Sequence, residues 1–151
     1  MTETMIPDQE QRNNALDVSQ SYIVQAPAGS GKTELLSQRF LNALAHCETV
    51  PEEVLAITFT KKAASEMRHR ILQALLKASE PKPVEAHAQL TWELANKALN
   101  RDKQLQWQLL DNPNRLQIRT IDSLCASLTR QMPILSQFGC QPDITDEAQH
   151  C

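Results

Sequence analysis

Residues 21–33, SYIVQAPAGSGKT, constrain this chain more than any other stretch. A β-branched and aromatic run, SYIVQ (21–25), stops at Ala26-Pro27 and gives way to small residues and a Gly-Lys-Thr triplet. The run predicts a buried strand, and the triplet predicts a helix start. Strand, small-residue loop and helix N-terminus, in that order, make a phosphate-binding loop. Successive backbone N–H groups converge on phosphate oxygens, and the helix dipole favours their negative charge. Gly29 and Gly31 allow the tight path that a β-carbon would block. Lys32 is placed to reach the β- and γ-phosphates as a point charge, and the Thr33 hydroxyl to hold Mg2+. Ala26 stands where such loops usually begin with glycine, a departure tolerated if its φ is negative. The candidate nucleotide-binding residues are Ala26, Pro27, Ala28, Gly29, Ser30, Gly31, Lys32, Thr33 and Glu34, with Lys32 and Thr33 as the catalytic pair. Alone, the loop does not separate helicase from kinase, GTPase or transporter ATPase.

The rest of the chain alternates between strand-like and helix-like stretches. Residues 1–20 are polar and read as a loop or short helix leading in. Leu35, Leu36, Phe40, Leu41 and Leu44 fall on one side of a helix ending near Cys47. EVLAIT (53–58) is a near-continuous apolar run, as expected of a strand covered on both faces. From Lys61 a helix repeats Ala64, Met67, Ile71 and Leu75 and must stop before Pro81 and Pro83. Val84, His87, Leu90, Thr91, Leu94 and Ala98 mark another helical stripe, and a Gln-rich segment with Leu105, Trp107, Leu109 and Leu110 runs to the turn cluster DNPN (111–114). RLQIRT (115–120) puts Leu116, Ile118 and Thr120 on one face of a third strand. Ile121, Leu124, Cys125 and Leu128 begin a helix that Pro133 ends, and QPDIT (141–145) is expected to hold a short strand. The order implies an α/β fold: a partial parallel sheet flanked by helices, with a helix-rich segment at 78–113.

At 151 residues there is room for one domain with a real core. A formal charge of −3 and a pI near 5.8 give no global attraction to nucleic acid, so any such binding needs a local patch. AITFTKKAASEMRHRI (56–71) supplies one. Lys61, Lys62, Arg68 and Arg70 stand against Glu66 alone within residues 61–70. A strand end carrying Phe59, hydroxyls and lysines can stack a base and hold phosphates; the plainer reading is a solvated helix face beside a core phenylalanine. No apolar run is long enough to cross a bilayer, and the start lacks the pattern of a secretory signal. Four well-separated cysteines without a C-x-x-C read as thiols in a reducing cytoplasm. Trp92 and Trp107 read as helix packing, and His46, His69 and His87 as surface or satisfied histidines.

APAGSGKT, ITFTKKAASEMRHR and RTIDSLC (119–125), in that order, resemble motifs I, Ia and Ic of superfamily 1 DNA helicases of the UvrD/Rep type. The aspartate in TIDS, together with VQAPAGSGKTELL, is similar to the AddA and RecB-like helicase–nuclease branch. Ala26 then looks like a family trait. The resemblance implies a RecA-like P-loop NTPase fold and an ATP-driven, Mg2+-dependent translocase moving 3′ to 5′ along single-stranded DNA. Residues 1–151 would be the N-terminal portion of motor domain 1, ending before the acidic Walker B motif. It implies that Gly29 to Thr33 hold the triphosphate and Mg2+, and that Phe59, Thr60, Lys61, Thr120, Asp122 and Ser123 lie near bound DNA. Gln9 or Gln11 would read the adenine, a choice the spacing leaves open. Asp122 fits either a DNA contact or a helix N-cap. The implied partners are single-stranded DNA and the remaining helicase domains, with a second helicase–nuclease subunit left open and no membrane. A fragment of this kind is expected to bind ATP and to hydrolyse it poorly. Two other classes fit the loop: a small-molecule kinase, for which no arginine-rich lid is evident, and a nucleotide-binding module without catalysis.

Overall fold

The computed structural model describes residues 9–132; the expected strand at 141–145 and the stop at Pro133 lie outside them. In chain order the elements are α1 (Gln9–Ala15), α2 (Lys32–His46), β1 (Leu55–Thr58), α3 (Lys61–Lys77), α4 (Ala86–Leu105), β2 (Gln117–Thr120) and α5 (Ile121–Gln131). Short 3-10 turns at Pro51–Glu53 and Pro113–Arg115 precede the two strands, each opened by a proline whose fixed φ suits a first helical position. β1 and β2 pair in parallel, Leu55 opposite Gln117 and Thr58 opposite Thr120. Parallel strands cannot be joined by a tight turn, and here α3 and α4 fill the connection.

The core lies among α2, α3, α4 and one face of the sheet. Leu35, Phe40, Leu41 and Leu44 of α2 meet Leu94, Ala95, Ala98 and Leu99 of α4, while Met67, Ile71 and Leu75 of α3 pack over Leu116 and Ile118. Small side chains at Ala95 and Ala98 let α2 approach α4 closely, because packed helices settle near the distance their contact residues permit. Trp107 joins this core, its indole N–H donating to the Thr49 carbonyl at 3.0 Å. Trp92 is half-buried and bonds to the Glu80 carbonyl at 3.1 Å. α4 stops where Gln106 turns left-handed, and the buried Asp102 carboxylate accepts the Leu109 N–H at 3.0 Å. His46, His69 and His87 are exposed.

Several sequence expectations need correction. SYIVQ (21–25) forms no strand. It is irregular and exposed, with Ile23 99% accessible, because β1 and β2 pair with each other and no strand lies beside it among the described residues. EVLAIT is covered on one face only: Ala56 and Thr58 turn inward while Leu55 and Ile57 remain 44% and 50% exposed. The third strand begins at Gln117, since Arg115 belongs to the preceding turn, though Leu116, Ile118 and Thr120 are buried together as the alternation requires. Leu36 points outward and the polar Gln38 takes an inner position, donating to Thr91 of α4 at 2.9 Å. Val84 and His87 are exposed rather than part of the buried stripe of α4. The 78–113 segment is one long helix, α4, between two irregular stretches.

One ion pair joins the segments ahead of the two strands. Glu52 accepts from Arg115 Nε at 2.7 Å and Nη2 at 3.1 Å. This hydrogen-bonded pairing holds the Glu52 pKa below its ordinary value of 4.5. A depressed carboxylate pKa means the unfolded chain binds the proton more tightly. The pair therefore stabilises the fold above the unfolded-state pKa, and its contribution is lost as pH falls through the folded-state value. Glu52→Gln should lower the melting temperature slightly at pH 7, exposed pairs being weak, and the gap from the parent protein should close as pH falls below 4.5. A gap independent of pH would disprove the linkage.

Candidate functional site

The loop at 26–33 is built by two left-handed glycines and a lysine turned back on its own backbone. Gly29 has φ +79° and Gly31 φ +81°, conformations that L side chains rarely adopt. Gly31 is the residue before α2, and its carbonyl accepts the Leu35 N–H at 3.0 Å, so the helix issues directly from the loop. The Lys32 ammonium donates to the carbonyls of Ala26 and Pro27, the latter at 3.0 Å, which closes the loop around its own charge. Ser30 closes a turn onto Pro27, its N–H reaching that carbonyl at 3.3 Å, and its buried hydroxyl has no hydrogen-bond partner. Buried polar atoms are nearly always satisfied, so a lone one at a helix start is a place where a polar ligand fits. Thr33 and Glu34 lie exposed on the first turn of α2.

The segment upstream is fastened over this loop. Arg39 of α2 donates to the carbonyls of Ala15, Asp17 (2.8 Å) and Gln20 (2.8 Å), and its guanidinium lies 5.4 Å from the centre of the Tyr22 ring. Asn42, one turn further along, donates to Leu16 at 2.8 Å. These bonds hold the end of α1 on α2 and bring Arg12 to the loop, where its guanidinium donates to the Ser30 carbonyl. The clamp was not legible in the sequence, because nothing local marks which arginine will meet free carbonyls at a helix end. Between α1, the irregular 22–26 stretch and the loop lies a cleft of about 420 Å³, within the range of small-molecule sites. Gln11 lines it with Arg12, Tyr22, Gln25, Ser30 and Lys32, and among the described residues no carboxylate does. Gln9 instead bonds to Asn13 along its own helix at 3.0 Å.

Of the loop's two glycines, Gly31 is the more constrained. A β-carbon there would lie 3.3 Å from Arg12 Nη1, whereas one on Gly29 would meet open space. Gly31→Ala should cost about 1–2 kcal/mol from the left-handed backbone alone and also displace Arg12. Urea denaturation beside Gly29→Ala isolates the second effect, and equal losses in the two variants would show that Arg12 does not care.

The second cluster sits at the carboxyl ends of the strands. Thr60 ends the turn after β1 and caps α3, accepting the Ala63 N–H at 3.1 Å; Thr120 ends β2 and caps α5, accepting the Ser123 N–H at 3.2 Å. The cap is thus Thr120, and Asp122, one candidate for it, lies in the first turn of α5. Because Thr58 is opposite Thr120, the two turns stand side by side. Phe59 is 91% exposed, which excludes a core role, and Lys61, Lys62, Asp122 and Ser123, in or just after the same two turns, are exposed as well. Arg68 does not join the exposed cations: it faces inward and donates to the Ile118 carbonyl at 3.0 Å.

Among the described residues no group of histidine, cysteine and acidic side chains could hold a metal, and no helix is long and apolar enough to cross a membrane. Cys47 and Cys125 are free thiols, and burial pushes the Cys47 thiol pKa up, away from reactivity.

Comparison with known proteins adds a lineage to this geometry. The profile of the UvrD/REP helicase N-terminal domain matches residues 7–150, nearly the full chain. The chain belongs to that family. It is 32% identical over 132 residues to the AddA subunit of the ATP-dependent helicase/nuclease of Lysinibacillus sphaericus (strain C3-41), covering 86% of this chain and 9% of that protein. To the protein of the same name from Lactobacillus acidophilus (strain ATCC 700396 / NCK56 / N2 / NCFM) it is 38% identical over 124 residues, 81% of this chain and 9% of the relative. A probable DNA helicase II homolog of Mycoplasma pneumoniae (strain ATCC 29342 / M129 / Subtype 1) is 49% identical over 53 residues, 35% of this chain and 7% of that protein. The chain therefore spans about a tenth of the length of the helicase/nuclease relatives it matches. As a member of this family it has a helix-rich α/β architecture, with the small parallel sheet described above.

Proposed function

We propose that this chain is the ATP-binding part of an ATP-dependent DNA helicase, of RecA-like P-loop type, that moves 3′ to 5′ along single-stranded DNA in repair or recombination. The observation that carries the reading is the 26–33 loop, with its two left-handed glycines, inward lysine and buried, unpartnered Ser30 hydroxyl at a helix start. Residues 29–33 would surround the β- and γ-phosphates, Lys32 releasing its loop carbonyls to meet them, and Thr33 would hold Mg2+. Gln11, which lines the cleft, is proposed over Gln9 as the adenine contact. Phe59, Thr60 and Lys61, with Thr120, Asp122 and Ser123, would face the DNA strand, Phe59 stacking a base. The relatives' names support one further partner, a second helicase–nuclease subunit; the reading places the protein in the cytoplasm.

Phosphoryl transfer to water needs a group that orients the water and charges that stabilise the transition state. Among the described residues the cleft beside the loop has no carboxylate in its lining, in keeping with a chain that binds ATP and turns it over slowly. Incubation with ATP, Mg2+ and single-stranded DNA should show negligible hydrolysis, and brisk DNA-stimulated turnover would overturn this part. Phe59→Ala should weaken oligothymidylate binding by about tenfold, the range of one lost base stack, without changing nucleotide affinity. Unchanged DNA affinity would remove the turns at 58–61 and 120–123 from the DNA path.

A further inference from the structure

The two turns at the carboxyl edge of the sheet are joined by more than the strand ladder. The Thr58 hydroxyl lies 3.1 Å from the Thr60 carbonyl and 3.4 Å from that of Arg119, so the Arg119 carbonyl is turned toward β1. Carbonyls of successive strand residues point to opposite sides. The Ile118 carbonyl therefore faces away from β1, toward a side of β2 where no strand pairs among the described residues. Arg68 of α3 meets it there, with Nη2 at 3.0 Å from Ile118 O and Nη1 at 3.4 Å from Pro113 O. α3 issues from the first turn and β2 leads into the second, so one half-buried guanidinium ties the helix leaving one turn to the strand feeding the other. Its planar fork suits the task, since two donors fixed in one plane serve two carbonyls at once.

We propose that Arg68 is a positioning residue: it fixes the spacing of the turns at 58–61 and 120–123, so that both meet a single nucleic-acid strand as one rigid surface. Lys61, Lys62 and Arg70, the other cations of this patch, are exposed, with Lys62 4.0 Å from the Glu66 carboxylate one turn along α3. The inference rests on the proposed DNA role of the two turns, and its test separates the two ideas. Amide hydrogen exchange over 118–124 is measured in the parent chain, Arg68→Ala, Arg68→Lys and Arg70→Ala, together with affinity for labelled oligothymidylate and for a fluorescent ATP analogue. Arg68→Ala should speed exchange in that segment and weaken DNA binding about tenfold, the range of one lost charge-assisted bond. Nucleotide affinity should stay within about twofold, which general loosening of the fold would not allow. Arg68→Lys, which keeps the charge and one donor, should recover part of the protection, and should it be the only variant that folds, exchange intermediate between protected and open supports the tie. Arg70→Ala should leave exchange unchanged. Exchange over 118–124 unaffected by either Arg68 variant overturns the tie. Equal DNA losses for Arg68→Ala and Arg70→Ala without a change in exchange would reduce Arg68 to a charge. If Phe59→Ala leaves DNA binding intact, the DNA role of the turns fails, and the exchange data still decide whether Arg68 holds them together.

Discussion

Lys32→Ala should weaken ATP binding by about 100-fold, which corresponds to losing one charge-assisted interaction of roughly 3 kcal/mol. The ammonium now lies against the Ala26 and Pro27 carbonyls of the same loop. Swinging from carbonyl to phosphate exchanges neutral acceptors for charged ones, and the gain appears as affinity. The side chain is only partly buried, so its removal leaves the core intact and the melting temperature should move little. Titration with a fluorescent ATP analogue, with circular dichroism as a check on folding, measures both. Equal affinity in the parent chain and the variant would end the assignment of residues 26–33 as a phosphate-binding loop.

The largest loss of stability is expected from Leu41→Ala. Leu41 is fully buried in the core cluster, on the helix α2 that packs chiefly against α4. Such deletions cost about 2–5 kcal/mol, a large share of the roughly 5–15 kcal/mol that holds a domain folded. Because α2 begins at Gly31, loosening the helix should weaken nucleotide binding as well. Leu36→Ala, half-exposed on the opposite side, should change stability by less than about 0.5 kcal/mol. Urea melts of the two variants decide the matter; similar midpoints would mean that the α2–α4 contact is not the centre of the core.

Leu36 also shows how sequence reading falls short inside a correctly placed helix. The stripe of leucines located α2 and its end at His46. It did not show that the inward arc centres on Leu41 and Gln38, because a glutamine takes an inner position only if a partner such as Thr91, 53 residues away, is there to meet it. The turn ahead of β2 was misplaced for a related reason: a 3-10 turn and a strand start look alike until a neighbouring chain supplies the ladder. The candidate DNA residues fared differently. Sequence pattern put Phe59 to Lys61 and Thr120 to Ser123 at strand ends, and the fold brings those ends together, giving Thr60 and Thr120 a second task as helix caps.

The sequence by itself determined what depends on near neighbours. Gly29 and Gly31 permit the loop and Lys32 follows it; the spacing of Met67, Ile71 and Leu75 makes α3; and Ile118 alternates with Gln117 and Arg119. Helical hydrogen bonds close within four residues, and an alternating strand needs only its own order to choose a face, so such features can be read along the chain. Tertiary structure decided whatever needs a partner from far away. It left SYIVQ irregular and unpaired, covered β1 on one face, set Arg39 over the exit of α1, and turned Arg68 from a surface charge into a link between two turns. A backbone carbonyl or strand edge is satisfied only by a group that folding brings to it, and no local pattern states which group that will be.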